Sequence, residues 1–293
     1  MGWYHKIVND IVGGQAVVVS FCPLTSTGML FDGQVEGGRL TCGVSRFLFK
    51  NNLVMYDRRD PLNVATLYPQ MMGVGVFGQR TNTGLIQLPI VETTWRYWKE
   101  LFPNSTVVGV IQSEAVRFSP STNLTARQFS ESTYLSYPCA DLSYRDPDSR
   151  PLIGAFPNLT ENPTAQIFQN KDMVHGVRFG EIAKTYPFKL MGEEAVLNDT
   201  VGETYIVVNY YAEEKLAISF FREFEGQTST FEKIDSTTGP FPFLLRDVQT
   251  STTWDLLGRG IEGPHAGKRF TQVPANNAFW FAWATFWQNT GIL

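Results

Sequence analysis

Runs of β-branched and aromatic residues bounded by Gly, Asn and Asp dominate this chain. Ala16-Val-Val-Val-Ser-Phe21 and Tyr205-Ile-Val-Val-Asn-Tyr210 have the composition of strands, as do Leu53-Val-Met-Tyr-Asp57 and Phe243-Leu-Leu-Arg-Asp247. Asn9-Asp10 and Asn198-Asp199, each followed by Val-Gly, predict a turn leading into the next strand, because Asn, Asp and Gly tolerate the backbone angles of tight turns. The Gly-rich stretch Gln34–Arg39 predicts a hairpin turn. Helical spacing is confined to two places. Trp95, Trp98 and Phe102 stand at i, i+3 and i+7, and Trp280, Trp283 and Trp287 repeat that spacing, which predicts two short helices with an aromatic face on a sheet.

These elements recur in one order. Val8-Asn9-Asp10-Ile11-Val12-Gly13 returns 189 residues later as Leu197-Asn198-Asp199-Thr200-Val201-Gly202. Gly78-Gln79-Arg80 returns as Gly267-Lys268-Arg269, and Leu88-Pro89 returns 185 residues later as Val273-Pro274. Each proline is followed by Trp-x-x-Trp-x-x-x-aromatic-x-Asn. Self-similarity of this kind predicts duplicated architecture. The expected fold is mainly β (α+β): two homologous β-rich repeats, each closed by a short aromatic-faced helix, packed as one pseudo-symmetric unit. The repeats take residues 1–110 and 171–293, and the Ser/Thr/Pro-rich residues 111–170 connect them. The second repeat opens with Val174–Gly180 and Tyr186-Pro187, for which the first has no counterpart. The expectation is a missing opening strand and an upstream extension carrying an export signal or lipid anchor.

Composition narrows the classes. The 293 residues carry 24 Lys+Arg against 28 Asp+Glu, and only 18 % are charged. Nucleic-acid binding needs clustered cations to displace counterions, so that class is set aside. Aromatics at 14 % exclude a disordered chain, which lacks apolar surface to offset its ordering entropy. The longest apolar stretches, Ala16–Leu24 and Ala278–Trp287, fall well short of the ~20 residues of a membrane-spanning helix.

Candidate chemistry is sparse. Cys22, Cys42 and Cys139 match no zinc spacing, and the Cys22/Cys42 pair is open to a disulfide or to two inert buried thiols. His5, His175 and His265 stand far apart; a metal would need them to converge with carboxylates such as Asp10, Asp57 or Asp199. No metal or other cofactor is expected, and no catalytic set is assigned. Cys22, with His5 as the histidine nearest to it in sequence, is the one candidate thiol or metal site, and a nucleophilic Cys22 would need that base held close. Asp57-Arg58-Arg59-Asp60 reads as a solvated, self-paired charge cluster. In Phe279-Trp-Phe-Ala-Trp-Ala-Thr-Phe-Trp287, Trp280 and Trp283 face the core by analogy with Trp95 and Trp98. Phe279, Phe281 and Phe286, with Trp287, are the candidate interface, since exposed aromatics at this density mark contact surfaces.

Linked motifs add a resemblance. Phe21-Cys22-Pro23-Leu24 follows a Val-rich strand; Gly43-Val44-Ser45, Asn52–Arg58, Leu88-Pro89, Glu92-Thr93-Thr94-Trp95, Gly176-Val177 and Tyr186-Pro187 follow in order. Together they resemble the bacterial domain of unknown function 3179 family across most of the chain outside the connector. That family has no assigned activity, so the resemblance implies no catalytic residues, and its members' export implies an extracytoplasmic, periplasmic location. The chain departs from the family's Cys-Pro-Leu-Cys, reading Cys22-Pro23-Leu24-Thr25, which removes the second thiol of a redox or soft-metal pair. The expected function is a non-catalytic accessory or scaffold subunit docked on other protein subunits of a larger bacterial membrane-associated complex, for which a respiratory or photosynthetic complex would be a fitting host. The alternative is a thiol- or metal-dependent enzyme, or a redox or metal-binding protein, using Cys22 and His5.

Overall fold

The computed structural model describes residues 6–107, 168–236 and 239–293. His5, Cys139 and residues 111–167 of the connector lie outside them. The N-terminal half runs β1 (Ile7–Val12), β2 (Gln15–Cys22), β3 (Thr27–Asp32), β4 (Gln34–Val35), β5 (Gly38–Arg39) and β6 (Cys42–Phe49). It continues with β7 (Asn52–Asp57), β8 (Leu67–Pro69), β9 (Gln87–Leu88) and helix α1 (Trp95–Leu101). The C-terminal half opens with the hairpin β10 (Met173–Phe179) and β11 (Ile182–Pro187), then one turn of helix, α2 (Phe188–Met191). Next come β12 (Glu194–Val201), β13 (Thr204–Tyr211), β14 (Leu216–Phe221), β15 (Glu223–Phe224), β16 (Gln227–Thr228) and β17 (Phe231–Asp235). The chain ends with β18 (Phe243–Asp247), β19 (Thr253–Trp254), β20 (Gly260–Glu262), β21 (Ala275–Phe279), α3 (Trp280–Phe286) and β22 (Gly291–Ile292). The protein is mainly β.

The strand-rich runs read from the sequence are strands β2, β7, β13 and β18, and Gln34–Arg39 is the β4–β5 hairpin. The Asn-Asp pairs are not turns. Asn9 and Asp10 lie inside β1, Asn198 and Asp199 inside β12, and the chain reverses after them at Gly13-Gly14 and Gly202, all at positive φ. The Asn side chains instead hold a neighbouring strand. Asn9 donates to the Cys42 carbonyl (3.0 Å) and accepts from the Cys42 N–H (2.7 Å). Asn198 does the same to Phe231, at 2.7 and 2.8 Å. A two-armed amide satisfies one backbone donor and one acceptor that β6 and β17 would otherwise leave unmade.

Other contacts recur at the spacings seen in the sequence. Phe31 pairs with Gln87 across β3 and β9, and Phe220 bridges Gln272. The Trp98 indole donates to Ser105 (3.0 Å), and the Trp283 indole to Thr290 (2.9 Å).

Three cores hold these sheets. In the first, Val18, Met29, Phe31, Leu53 and Tyr68 of the N-terminal half surround Trp280, Phe281 and Trp283 of α3. In the second, Tyr97 of α1 inserts among Val207, Ile218, Phe220, Phe243 and Trp254 of the C-terminal half. In the third, β10–β11 and β21 cover β12–β14, burying Tyr186, Ile206, Val208 and Val273. Each closing helix therefore packs into the half that it does not follow in sequence. Backbone bonds fix the crossing: the Phe279 N–H donates to the Thr25 carbonyl (2.9 Å), and the Thr94 N–H to the Glu214 carbonyl (3.2 Å).

The aromatic faces differ from the helical reading. In α1, Trp95 is 51 % exposed, whereas Tyr97 is 2 % exposed. Trp98 is half-buried against Phe102, ring centroids 4.6 Å apart. A seven-residue helix makes two turns, and the side chain that meets the opposing sheet is set by the docking angle rather than by its longest apolar spacing. In α3 almost the whole helix is buried, Trp280 and Trp283 included. Phe279 and Phe281 are buried with them, which corrects their assignment to an exposed interface; β21 pairs with β10 and carries Phe279 inside, and α3 buries Phe281. Phe286 and Trp287 stay partly buried at the margin.

Close approach at Gly176 is part of this packing, because a Cβ there would lie 2.0 Å from the Trp283 ring. Gly176→Ala is expected to lower stability by about 3 kcal/mol in denaturant unfolding, since neither backbone nor ring has room to yield. Tyr97→Ala is expected to lose about 3–5 kcal/mol and Trp95→Ala less than about 1 kcal/mol, the reverse of what the helical spacing implied.

Candidate functional site

Two buried polar assemblies stand where the halves cross. The first surrounds the Cys22-Pro23-Leu24-Thr25 turn between β2 and β3, with Ser26 at positive φ. The Thr25 and Thr27 hydroxyls are 2.8 Å apart, and Thr27 donates to the Gln70 side-chain carbonyl at 2.9 Å. The Asn52 amide donates to Thr25 (3.0 Å) and to Gln70 (2.9 Å), and the Gln70 amide donates to Ser20 (3.0 Å). All five side chains are buried. A buried network with its donors matched to acceptors is rigid, and this one holds the turn whose Thr25 carbonyl receives α3. Cys22 is buried beside it, its Sγ 3.9 Å from the Asn51 carbonyl. Cys22 and Cys42 are free thiols, and burial pushes Cys42 up to about 12, so it stays protonated and unreactive at neutral pH.

The corresponding turn of the C-terminal half presents Glu214. Its carbonyl accepts from Thr93 Oγ1 (2.9 Å), and its carboxylate accepts from Thr94 Oγ1 and Arg96. Thr94 is also the N-cap of α1, its hydroxyl accepting from the Tyr97 N–H at 3.2 Å. One residue thus starts the helix and anchors it across the interface.

The second assembly links both closing segments. Glu92, three residues beyond Pro89, hydrogen-bonds Asn277, three residues beyond Pro274. His175 Nδ1 is 2.9 Å from Asn277 Oδ1, and His175 Nε2 is 2.8 Å from Ser219 Oγ. Asn277 Oδ1 is an acceptor only, so His175 donates from Nδ1 and receives the Ser219 hydroxyl at Nε2. Burial pushes His175 down to about 4, leaving it neutral at ordinary pH. Burial pushes Glu92 up to about 7, against the lowering effect of Asn277; its Oε2 is sealed from solvent without a hydrogen-bond partner. Ser219, His175 and Asn277 have the order of a nucleophile–base–orienter chain, and all three are buried. What the chain does chemically is hold a neutral imidazole and a titratable carboxyl between two closing segments.

The residues singled out from the sequence separate rather than converge. Among the described residues, no three His, Cys, Asp or Glu side chains gather as a metal site. His265 packs on Phe224, with Nδ1 3.8 Å from Glu225. Asp57 is not solvated: its carboxylate is buried, and although burial alone would raise it, hydrogen bonds from Arg59 and the charges of Arg59 and Arg80 hold it below the usual range. Glu92, Asn277 and Ser219 carry no recognisable spacing as a catalytic set. The signal that could have found the first two is their common place, three residues past the repeated proline.

These features define a mainly β protein whose halves are joined by crossed closing segments over a buried polar core. The chain belongs to the family described as Protein of unknown function (DUF3179), which matches residues 1–290. No curated protein and no solved structure matches it.

Glu92 makes stability pH-dependent. A free glutamate ionises near 4.5 and the buried one near 7, so the folded state loses stability as pH rises through that window and has lost it in full above about 7. Glu92→Gln keeps a hydrogen-bonding side chain and removes the ionisation. Its melting temperature relative to the wild type is expected to rise by several degrees between about pH 5 and about pH 8. A difference flat across that range would remove the assignment.

Proposed function

We propose that the protein is a non-catalytic, extracytoplasmic accessory subunit that docks on a larger bacterial membrane-associated assembly, and that it is built from two copies of one β-rich unit. The paired Asn clasps, the matching Phe–Gln contacts, the two Trp indole bonds and the two crossed backbone bonds all support the two-copy reading.

The observation that carries the docking reading is the tip of the β6–β7 hairpin. Phe47, Leu48 and Phe49 are 63, 39 and 39 % exposed in succession. Phe49 packs edge-on to Phe286, centroids 6.0 Å apart. Lys50 Nζ lies 5.3 Å from the Phe286 ring centroid and donates to the Thr285 carbonyl (2.8 Å). The tip is thereby held as a fixed apolar surface continuous with the half-buried margin of α3. The matching stretch of the C-terminal half, Ser236-Thr237-Thr238, is polar in sequence, so architecture alone does not demand these rings. Apolar side chains held in water by a rigid hairpin fit a protein contact surface. The interface moves accordingly, from Phe279 and Phe281 to Phe47–Phe49 with Phe286.

The enzyme alternative on Cys22 and His5 has less support, because Cys22 is buried within the turn that receives α3. No helix among the described residues is long and apolar enough to cross a membrane.

Phe47→Glu with Phe49→Glu is expected to leave the melting temperature within a few degrees of the wild type. On native gels of gently solubilised source membranes, the substitution is expected to shift the chain from a large complex to its free size. Migration of the wild type itself near 33.0 kDa, or a complex that survives the substitution, would contradict the reading.

A further inference from the structure

One groove of the C-terminal half carries charge that the surrounding side chains do not balance. It has a volume of about 570 Å³ and is lined by residues 239–241 and by residues of the paired stretches 255–261 and 267–269. Arg259 and Arg269 both line it, and they face each other across an antiparallel bridge. The Phe270 N–H donates to the Gly258 carbonyl and the Gly260 N–H to the Lys268 carbonyl, both at 2.9 Å. Bonds on either side of the two arginines make them a non-hydrogen-bonded pair, the arrangement that brings opposed side chains closest on one face. Like charges directly opposite each other cost stability.

Only one of the two has an answering carboxylate. Asp255 Oδ2 accepts from Arg259 Nε at 2.7 Å, while Asp255 Oδ1 accepts from the Leu257 and Arg259 N–H groups at 2.8 and 2.9 Å. The Arg259 guanidinium also lies over the Phe102 ring at the end of α1, 5.6 Å from its centroid. Arg259 is thus fixed through Nε, and its Nη groups donate to nothing among the described residues. Lys268 is taken by Glu225. Arg269 is exposed and has no ion pair among the described residues. Arg259, Arg269 and Asp255 together leave one positive charge.

The backbone does not call for these arginines. In the N-terminal half the same two bonds recur, Leu85 N–H to the Gly73 carbonyl (2.6 Å) and Gly75 N–H to the Thr83 carbonyl (2.9 Å). The bridge that they flank joins Val74 to Gly84 and carries no charge. The groove also has an apolar wall, formed by Phe241, Leu244 and Ile261.

We propose that this groove binds a small organic carboxylate, the carboxylate lying between Arg269 and Arg259 and the hydrocarbon part on Phe241, Leu244 and Ile261. One unbalanced positive charge matches one carboxylate, and the planar guanidinium fork matches its two oxygens. An apolar wall with a few converging polar groups is the general form of a small-molecule site. The inference stands apart from the docking reading, because the Phe47–Phe49 tip belongs to the other half.

The probe is octanoate, titrated into the intact protein by isothermal calorimetry, with 1-octanol and inorganic phosphate as comparisons. Saturable single-site binding of octanoate is expected, weakened about tenfold or more by Arg269→Gln. Arg269→Lys should fall between the two, since it keeps the charge and loses the fork. Octanol lacks the charge and phosphate lacks the hydrocarbon, so each should bind at least about tenfold more weakly than octanoate. Arg269 is exposed, so Arg269→Gln should melt within a few degrees of the wild type, and circular dichroism checks this. No saturable octanoate binding, or equal affinity in Arg269→Gln, would overturn the proposal. Octanol binding as tightly as octanoate would remove the arginines from the site. Phosphate binding as tightly would make it a general anion site and overturn the carboxylate.

Discussion

Two backbone hydrogen bonds organise this molecule: Phe279 N–H to the Thr25 carbonyl and Thr94 N–H to the Glu214 carbonyl. Each commits the closing segment of one half to the β-turn of the other, and the packing follows. Once Thr25 has received α3, Trp280, Phe281 and Trp283 fill the core under β2 and β3 with Met29, Phe31 and Leu53. Once Glu214 has received Thr94, Tyr97 enters the core beneath Trp254. Large aromatic side chains contribute several kcal/mol each when buried, so neither sheet keeps a complete core without the other half's helix. The buried Thr25–Thr27–Asn52–Gln70–Ser20 network is then explained as the stiffening of a receiving turn.

The crossing also explains why polar groups sit deep inside. Glu92 and Asn277 occupy matching places on two segments that pass each other, so they meet, and each has only the other and nearby groups to satisfy it. In the C-terminal half β10 provides His175, which completes Asn277 and Ser219. Among the described residues no strand of the N-terminal half takes that place, and the Glu92 Oε2 has no hydrogen-bond partner. The asymmetry between the halves, rather than their likeness, is what points to function. The apolar hairpin tip Phe47–Phe49 is the surface proposed above to meet a partner.

Much of this architecture was legible in the order of residues. Strands β2, β7, β13 and β18 follow from β-branched and aromatic runs, and the recurring spacings follow from simple comparison along the chain. The helices show the limit. Apolar spacing says that a helix has a buried face, not which sheet it is buried against, so the crosswise packing left no local trace. The same ambiguity misplaced Trp95 and hid Tyr97, and it sent Phe279 and Phe281 to the surface when β21 and α3 take them inside. Asn9 and Asn198 mislead for a different reason: the side chain that favours turns also makes a two-armed clasp to a strand. The Glu92, Asn277, His175 and Ser219 cluster is assembled from distant stretches, and its only readable signal is the common place of Glu92 and Asn277 three residues past the repeated proline.

Mutual dependence of the halves is the central claim, and fragment complementation tests it most directly. A protease site placed in the 111–170 connector would allow cleavage of the folded protein, separation of the two fragments in denaturant, and refolding apart or together. Crossed helices predict that neither fragment alone unfolds cooperatively, because each sheet lacks its closing aromatic residues, whereas the mixture regains one cooperative transition near that of the intact chain. A cooperative transition in either fragment alone would show that its helix closes its own sheet, and would contradict the account.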